Sequence, residues 1–161
     1  MQKRILVVGH GMVGQRFLES LTRDGRADLR ITMLAEEPRL AYDRVNLSKY
    51  FSGSSVEDLT LTTREFFDRH EIELHPGDPV SAIDRANRRV TTKSGAEYEY
   101  DVLVLATGSS PFVPPIPGKE RPGVFVYRTI EDLEAISEAG RNSTRGVVIG
   151  GGLLGLEAAK A

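Results

Sequence analysis

The stretch Arg4-Ile-Leu-Val-Val-Gly-His-Gly-Met-Val-Gly-Gln15 constrains the fold more than any other part of the sequence. Its apolar run, Arg4 to Val8, predicts a buried parallel strand. Gly9, Gly11 and Gly14 then spell Gly-x-Gly-x-x-Gly. Gly9 permits a tight turn off the strand. Gly11 has no side chain to block a pyrophosphate. Gly14 lets the following helix pack close to the strand. Met12 to Asp24 reads as that helix, with Val13, Phe17 and Leu21 as its apolar stripe and Gly25 at its stop. Leu29 to Ala35 reads as a second strand. A strand–helix–strand unit of this length implies a parallel pair and a right-handed crossover. A pyrophosphate at the turn would meet the backbone N–H groups around Met12 and Val13 and the positive end of the helix dipole. Glu36 stands about 20 residues after the glycines, where a carboxylate accepts from a ribose diol. Glu37 is the neighbouring candidate, because strand ends read from sequence shift by ~2 residues. The competing reading is a tight turn with no ligand, and the strand, helix and acid together argue against it. His10 lies inside the turn, either near the phosphate or turned to solvent. His70 and His75 read as surface residues.

Glu36 to Ser55 reads as irregular, with a short helix near residues 45–51. Thr62-Thr63-Arg64-Glu65 has the form of a capping box opening a helix through Arg69. Ile72 to His75 is a third strand. Val80 to Asp84, Arg89 to Lys93 and Glu97 to Tyr100 alternate and are separated by turn residues, which predicts an antiparallel meander. Asp101 to Ala106 is again a continuous apolar run and reads as a buried strand. A proline-rich connector spans residues 109–122. Thr129 caps a helix reaching about Ala139. Gly146 to Ile149 reads as a final strand, followed by Gly150, Gly152 and Gly155 in a second Gly-x-Gly-x-x-Gly. One kind of unit thus occurs twice, which suggests two successive dinucleotide-binding domains. We divide the chain at residues 1–143 and 144–161 on that basis.

The sequence contains no cysteine, which excludes disulfides, thiolate zinc sites and cysteine-ligated iron–sulfur clusters within it. The three histidines have no metal-ligand spacing, so no metal site is expected. A net charge of −2 leaves no electrostatic footprint for nucleic acid or an anionic membrane. No apolar run reaches the length of a membrane span, and the N-terminus reads straight into a strand, so no signal peptide is expected. The cytoplasm is the expected compartment.

The meander, followed by Leu103-Val-Leu-Ala-Thr-Gly108-Ser-Ser-Pro111, resembles the FAD domain of the glutathione-reductase-like flavoproteins. Val113-Pro-Pro-Ile-Pro-Gly118 and Arg128-Thr-Ile-Glu-Asp132 continue the resemblance. The fold it implies is α/β: a Rossmann-like FAD-binding domain with a parallel sheet and an antiparallel β-meander crossover. The second glycine motif resembles the family's inserted NAD(P)H domain. The loop Arg39-Leu-Ala-Tyr-Asp-Arg-Val-Asn-Leu-Ser-Lys-Tyr-Phe51 has no cysteine. It resembles the cysteine-free branch: ferredoxin and rubredoxin reductases, and the large subunits of assimilatory NAD(P)H-dependent nitrite reductases. Glu36-Glu-Pro-Arg39 and the Gly-His-Gly-Met-Val-Gly turn are most similar to the last of these.

By position, the resemblance implies that Gly9, Gly11, Met12, Val13 and Gly14 line the FAD pyrophosphate and Glu36 or Glu37 the ribose. It brings Arg44 and Lys49 toward the flavin, the backbone of Val80 to the adenine, and the turn Ala106-Thr107-Gly108 against the cofactor. Gly150, Gly152 and Gly155 correspond to the NAD(P)H turn. No residue of this chain is assigned a catalytic role. The implied parent is an enzyme that passes hydride from NAD(P)H to FAD and electrons onward. For a nitrite reductase, siroheme and iron–sulfur centres lie downstream of these residues. The partners expected are FAD and an electron-acceptor domain or subunit, and a homo-oligomer is compatible with the sequence. The chain is expected to be the N-terminal part of a truncated FAD domain, inactive alone. The alternatives are a ferredoxin or rubredoxin reductase, or a non-catalytic nucleotide-binding module.

Overall fold

The computed structural model describes residues 2–23, 25 and 28–160. Its backbone divides into two compact units: Met1–Tyr42 with Thr60–Gly108, and Asp43–Leu59 with Ser109–Ala161.

In the first unit, β1 (Lys3–Val8), β2 (Leu29–Ala35), β3 (Ile72–Pro76) and β7 (Val102–Leu105) form a four-stranded sheet in the order β3-β2-β1-β7. All three pairings are parallel. The helices α1 (Met12–Thr22) and α3 (Arg64–Arg69) complete its crossovers. The strands β4 (Val80–Asp84), β5 (Arg89–Thr92) and β6 (Glu97–Glu99) make the antiparallel meander expected between β3 and β7.

Alternation along the strands divides the core between the two faces of the sheet. Ile5, Val7, Ile31 and Met33 pack with Leu18 of α1 and Phe67 of α3. Leu6 and Leu34 turn the other way, onto Val90 of the meander and Tyr100. Arg4 ties β1 to the end of the meander through Asp101 (3.1 Å) and Glu99 (2.6 Å). The guanidinium holds the Asp101 carboxyl down at about 2.

Several elements depart from the sequence reading. Val13, assigned to the buried stripe of α1, is 72% exposed, whereas Leu18 is fully buried. The stripe is rotated because Gly14 and Gln15, not Val13, face the sheet side of the first turn. Asp24, the expected helix end, lies outside the described residues. The α3 cap is Thr63, not Thr62, so the box at 62–65 is out of register by one. β7 is half-buried rather than buried, with Leu105 58% exposed, because it is the edge strand of the described sheet.

The second unit contains a 3₁₀ turn (Leu47–Ser52), α2 (Val56–Leu59), α4 (Ile130–Arg141) and α5 (Leu153–Lys160). The α4 N-terminus closes itself with a full capping box. The Thr129 hydroxyl accepts from Asp132 N–H, and the Asp132 carboxylate accepts from Thr129 N–H. Ile130 and Leu133 are fully buried, and Leu47 and Leu59 nearly so. Phe51 stacks on Tyr127, centroids 6.2 Å apart. The final strand expected at residues 146–149 does not form. Val147 and Ile149 stay largely exposed, and no strand among the described residues pairs with them.

Candidate functional site

The site begins where the C-terminal ends of three strands converge. Gly9 N–H donates to the Leu34 carbonyl at 2.9 Å, and Ala106 N–H donates to the Val8 carbonyl at 2.8 Å. These two bonds seat the glycine turn between the ends of β2 and β7. Gly9 has φ +105°, a left-handed region open to glycine. A Cβ there would also strike the Ala106 carbonyl and come within 2.8 Å of Thr107 N. A Cβ on Gly14 would strike the Gly9 carbonyl. Gly11 differs, since a Cβ there would meet nothing within 4 Å. Two glycines are therefore fixed by the protein's own packing. The third opens a bare backbone surface, which is what a ligand needs to approach closely.

Electrostatics agree. The N-cap of α1 is Gly11, with no side-chain cap and no acidic residue in the first turn. Helix N-termini ordinarily take a carboxylate or hydroxyl there, and α4 of this chain does, with Glu131, Asp132 and Thr129. The first-turn N–H groups around Met12 and Val13 therefore have no side-chain partner, an arrangement that can receive an anion. Val13, 72% exposed, is the second residue of that turn.

The two acids after β2 differ. Glu36 is exposed. Glu37 is half-buried and accepts a 2.7 Å bond from the Tyr42 hydroxyl. Its carbonyl accepts from Gly77 N–H, and the Ala35 carbonyl accepts from Asp78 N–H. The chain entering β4 is thereby anchored at the end of β2, and Val80 follows, packed on the core of the meander face. Thr107 and Gly108 are exposed beyond β7, and Gly108 has φ +71°.

Gly9, Gly11, Met12, Val13, Gly14, Glu36, Glu37, Val80, Ala106, Thr107 and Gly108 all belong to the first unit. Arg44, Lys49, Gly150, Gly152 and Gly155 belong to the second. Arg44 donates to the Arg128 carbonyl at 3.5 Å, and Lys49 is exposed. The second glycine turn repeats the first in backbone form. Gly150 has φ +125°, and a Cβ on Gly155 would strike the Gly150 carbonyl. It lacks the flanking strands.

Sequence reading missed Tyr42, which holds Glu37, and of its two alternatives for His10 the solvent-facing one does not hold. That ring is buried, bonded to Gln15 at 3.2 Å and edge-on to Phe67. A second polar residue in the helix turn after the glycines, Gln15, was the one available sign. A cavity of about 230 Å³ also opens in this unit, over Arg4, Arg30, Thr32, Glu73 and Glu97. It lies toward the N-terminal halves of β1 and β2, whereas open α/β sheets bind ligands at the carboxyl ends. Its charges are already paired as Arg4–Glu99, Arg30–Glu73 and Arg89–Glu97. Among the described residues no cluster of metal-ligating side chains occurs, and no helix is long and apolar enough to cross a membrane.

A parallel sheet with a glycine turn at its carboxyl end, an uncapped helix N-terminus and a meander crossover defines a dinucleotide-binding α/β fold. The chain belongs to the pyridine nucleotide-disulphide oxidoreductase family, whose model matches residues 3–161. It is 53% identical over its whole length to the nitrite reductase [NAD(P)H] large subunit of Klebsiella oxytoca, spanning 17% of that protein. It is 48% identical over 98% of its length to the nitrite reductase (NADH) large subunit of Escherichia coli, spanning 19%. A ferredoxin reductase structure from Rhodopseudomonas palustris superposes with a TM-score of 0.89 at 33% identity, over 98% of this chain and 39% of that one. The disulphide of the family name has no counterpart in these 161 residues, which contain no cysteine.

Proposed function

We propose that the chain is the FAD-binding part of an NAD(P)H-dependent reductase, and that this reductase is a nitrite reductase. The observation that carries the FAD assignment is the open backbone surface at Gly11 beside the uncapped α1 N-terminus. The identity to two nitrite reductase large subunits supports the choice of enzyme. In this reading Gly9, Gly11, Met12, Val13 and Gly14 hold the pyrophosphate. Glu36 accepts from the ribose, since Glu37 is held by Tyr42. The Val80 backbone meets the adenine, and Ala106, Thr107 and Gly108 close on the cofactor. Arg44 and Lys49 supply cations to the flavin. A bound flavin would relay electrons from hydride, and the protein supplies orientation.

Residues 1–143 are assigned to the FAD domain. Residues 144–161, with Gly150, Gly152 and Gly155, open an NAD(P)H domain. The siroheme, the iron–sulfur centre and the electron-acceptor domain belong to other parts of the parent, in the cytoplasm. Equilibrating the protein with FAD, desalting it and recording the flavin absorbance tests the assignment. Retained flavin is expected, and its loss on Gly11→Val would localise it. Absence of both flavin and ADP binding would remove it. The likeness to the ferredoxin reductase structure supports a second reading, in which a ferredoxin is the acceptor. Nitrite-dependent NAD(P)H oxidation by the full-length parent separates the two.

A further inference from the structure

The glycine turn contains one polar group that the dinucleotide reading does not use. His10 stands between Gly9 and Gly11, yet it is only 8% exposed. Its Nε2 lies 3.2 Å from Gln15 Oε1. Gln15 Nε2 in turn donates to Glu19 Oε1 at 3.2 Å, and Arg16 donates to the other Glu19 oxygen at 2.9 Å. The direction of this chain is fixed at its far end. Arg16 and Gln15 hold the Glu19 carboxyl below its usual range, so it is ionised and can only accept. Gln15 must therefore give Glu19 its NH₂ and turn its carbonyl to His10. His10 then carries its proton on Nε2. Nδ1 remains a lone pair, buried, with no hydrogen-bond partner among the described residues. A buried acceptor without a donor is rare and destabilising.

We propose that His10 is a positioning residue of the dinucleotide turn, where docking of a pyrophosphate draws a proton from solvent onto Nδ1, so that anion binding and His10 protonation are one coupled event. The inference rests on the dinucleotide reading above. In the free protein, burial holds the imidazole below its ordinary range, and the bond to Gln15 and the charge of Glu37 only partly oppose this. The groups around the ring are Gln15 and, through it, Glu19 from α1, Glu37 from beyond β2, and Phe67 from α3. None supplies Nδ1 with a donor. A pyrophosphate on the N–H groups of Gly11 to Gly14 brings negative charge to the adjoining residue, which favours the imidazolium. The Nε2–Gln15–Glu19 chain needs no rearrangement, because Nε2 already donates. The new Nδ1–H turns an orphaned acceptor into a donor; that atom is closed to solvent in the free protein, so docking opens the turn enough for the phosphate to accept from it, directly or through one water. A full positive charge then reinforces a turn that otherwise offers only backbone dipoles.

ADP-ribose is the appropriate probe, because its pyrophosphate diester keeps a constant charge near neutral pH and any pH dependence comes from the protein. Calorimetry in two buffers of different ionisation enthalpy should show proton uptake on binding to this chain. Affinity should rise as pH falls from about 7.5 to 5.5, with a limiting slope of about tenfold per pH unit. In NMR spectra of the three imidazoles, the ligand should move one, absent in His10→Asn, from the neutral to the imidazolium form. His10→Asn should also flatten the pH slope. Binding without proton exchange, with His10 neutral throughout, would overturn the coupling and leave the dinucleotide site standing. Failure of ADP-ribose to bind at any pH would remove both.

Discussion

The two glycine turns share a local backbone design and differ in everything around it. In both, the first glycine is left-handed and the last has no room for a Cβ against the first glycine's carbonyl. Neither following helix has an acid in its first turn. The turn at Gly9 is bonded to β2 and faces β7, and its helix buries Leu18 completely. The turn at Gly150 follows residues 146–149, which form no strand, and α5 has no buried residue. A Gly-x-Gly-x-x-Gly sequence thus produces the turn by itself. It becomes a rigid donor set only where a sheet fixes the strand that leads into it.

That contrast predicts paired mutational effects of descending size. Leu18→Ala should cost about 2–5 kcal/mol in urea unfolding, as a fully buried leucine. Leu154→Ala, at a site 53% exposed, should stay within about 0.5 kcal/mol. Equal effects would mean that α5 is packed in solution. Gly14→Ala forces a Cβ onto the carbonyl of Gly9, whose N–H is bonded to the sheet, and should cost about 3 kcal/mol. Gly155→Ala meets the same local clash in an unanchored turn, and the main unfolding midpoint should not move. Thr129→Ala removes the capping box of α4, and a loss of about 1 kcal/mol is expected. Hydrogen exchange should place it in the first turn of that helix.

Two pH effects sharpen the description of the first unit. Asp101 sits at about 2, below its ordinary 3.8. Its pairing with Arg4 therefore contributes stability above pH ~3.8, lost as pH falls toward ~2. Arg4→Met should remove that part of the acid transition in circular dichroism. His10 lies below its ordinary 6.5 in the fold, so the unfolded chain takes up the proton first. Stability should be constant above pH ~6.5 and decline as pH falls below it. A urea midpoint unchanged between about pH 7.5 and 5.5 in the unliganded protein would contradict the buried, neutral ring.

The periodicity of the sequence was enough to determine the parallel strands, the meander and the glycine turn. Alternating and continuous apolar runs encode burial directly, and left-handed turns demand glycine. The cap of α4 was legible for the same reason, since Thr129 and Asp132 need only each other. Tertiary structure decided the rest. It set Leu18 rather than Val13 against the core, because Gly14 and Gln15 take the sheet side of the first helical turn. It sent His10 inward, because Gln15 and Phe67 offer its ring a partner and a wall that no local rule reveals. It gave Glu37 to Tyr42 and left Glu36 open. It also withheld the last strand. Val147 to Ile149 have strand composition, but a strand exists only where a neighbour takes its hydrogen bonds.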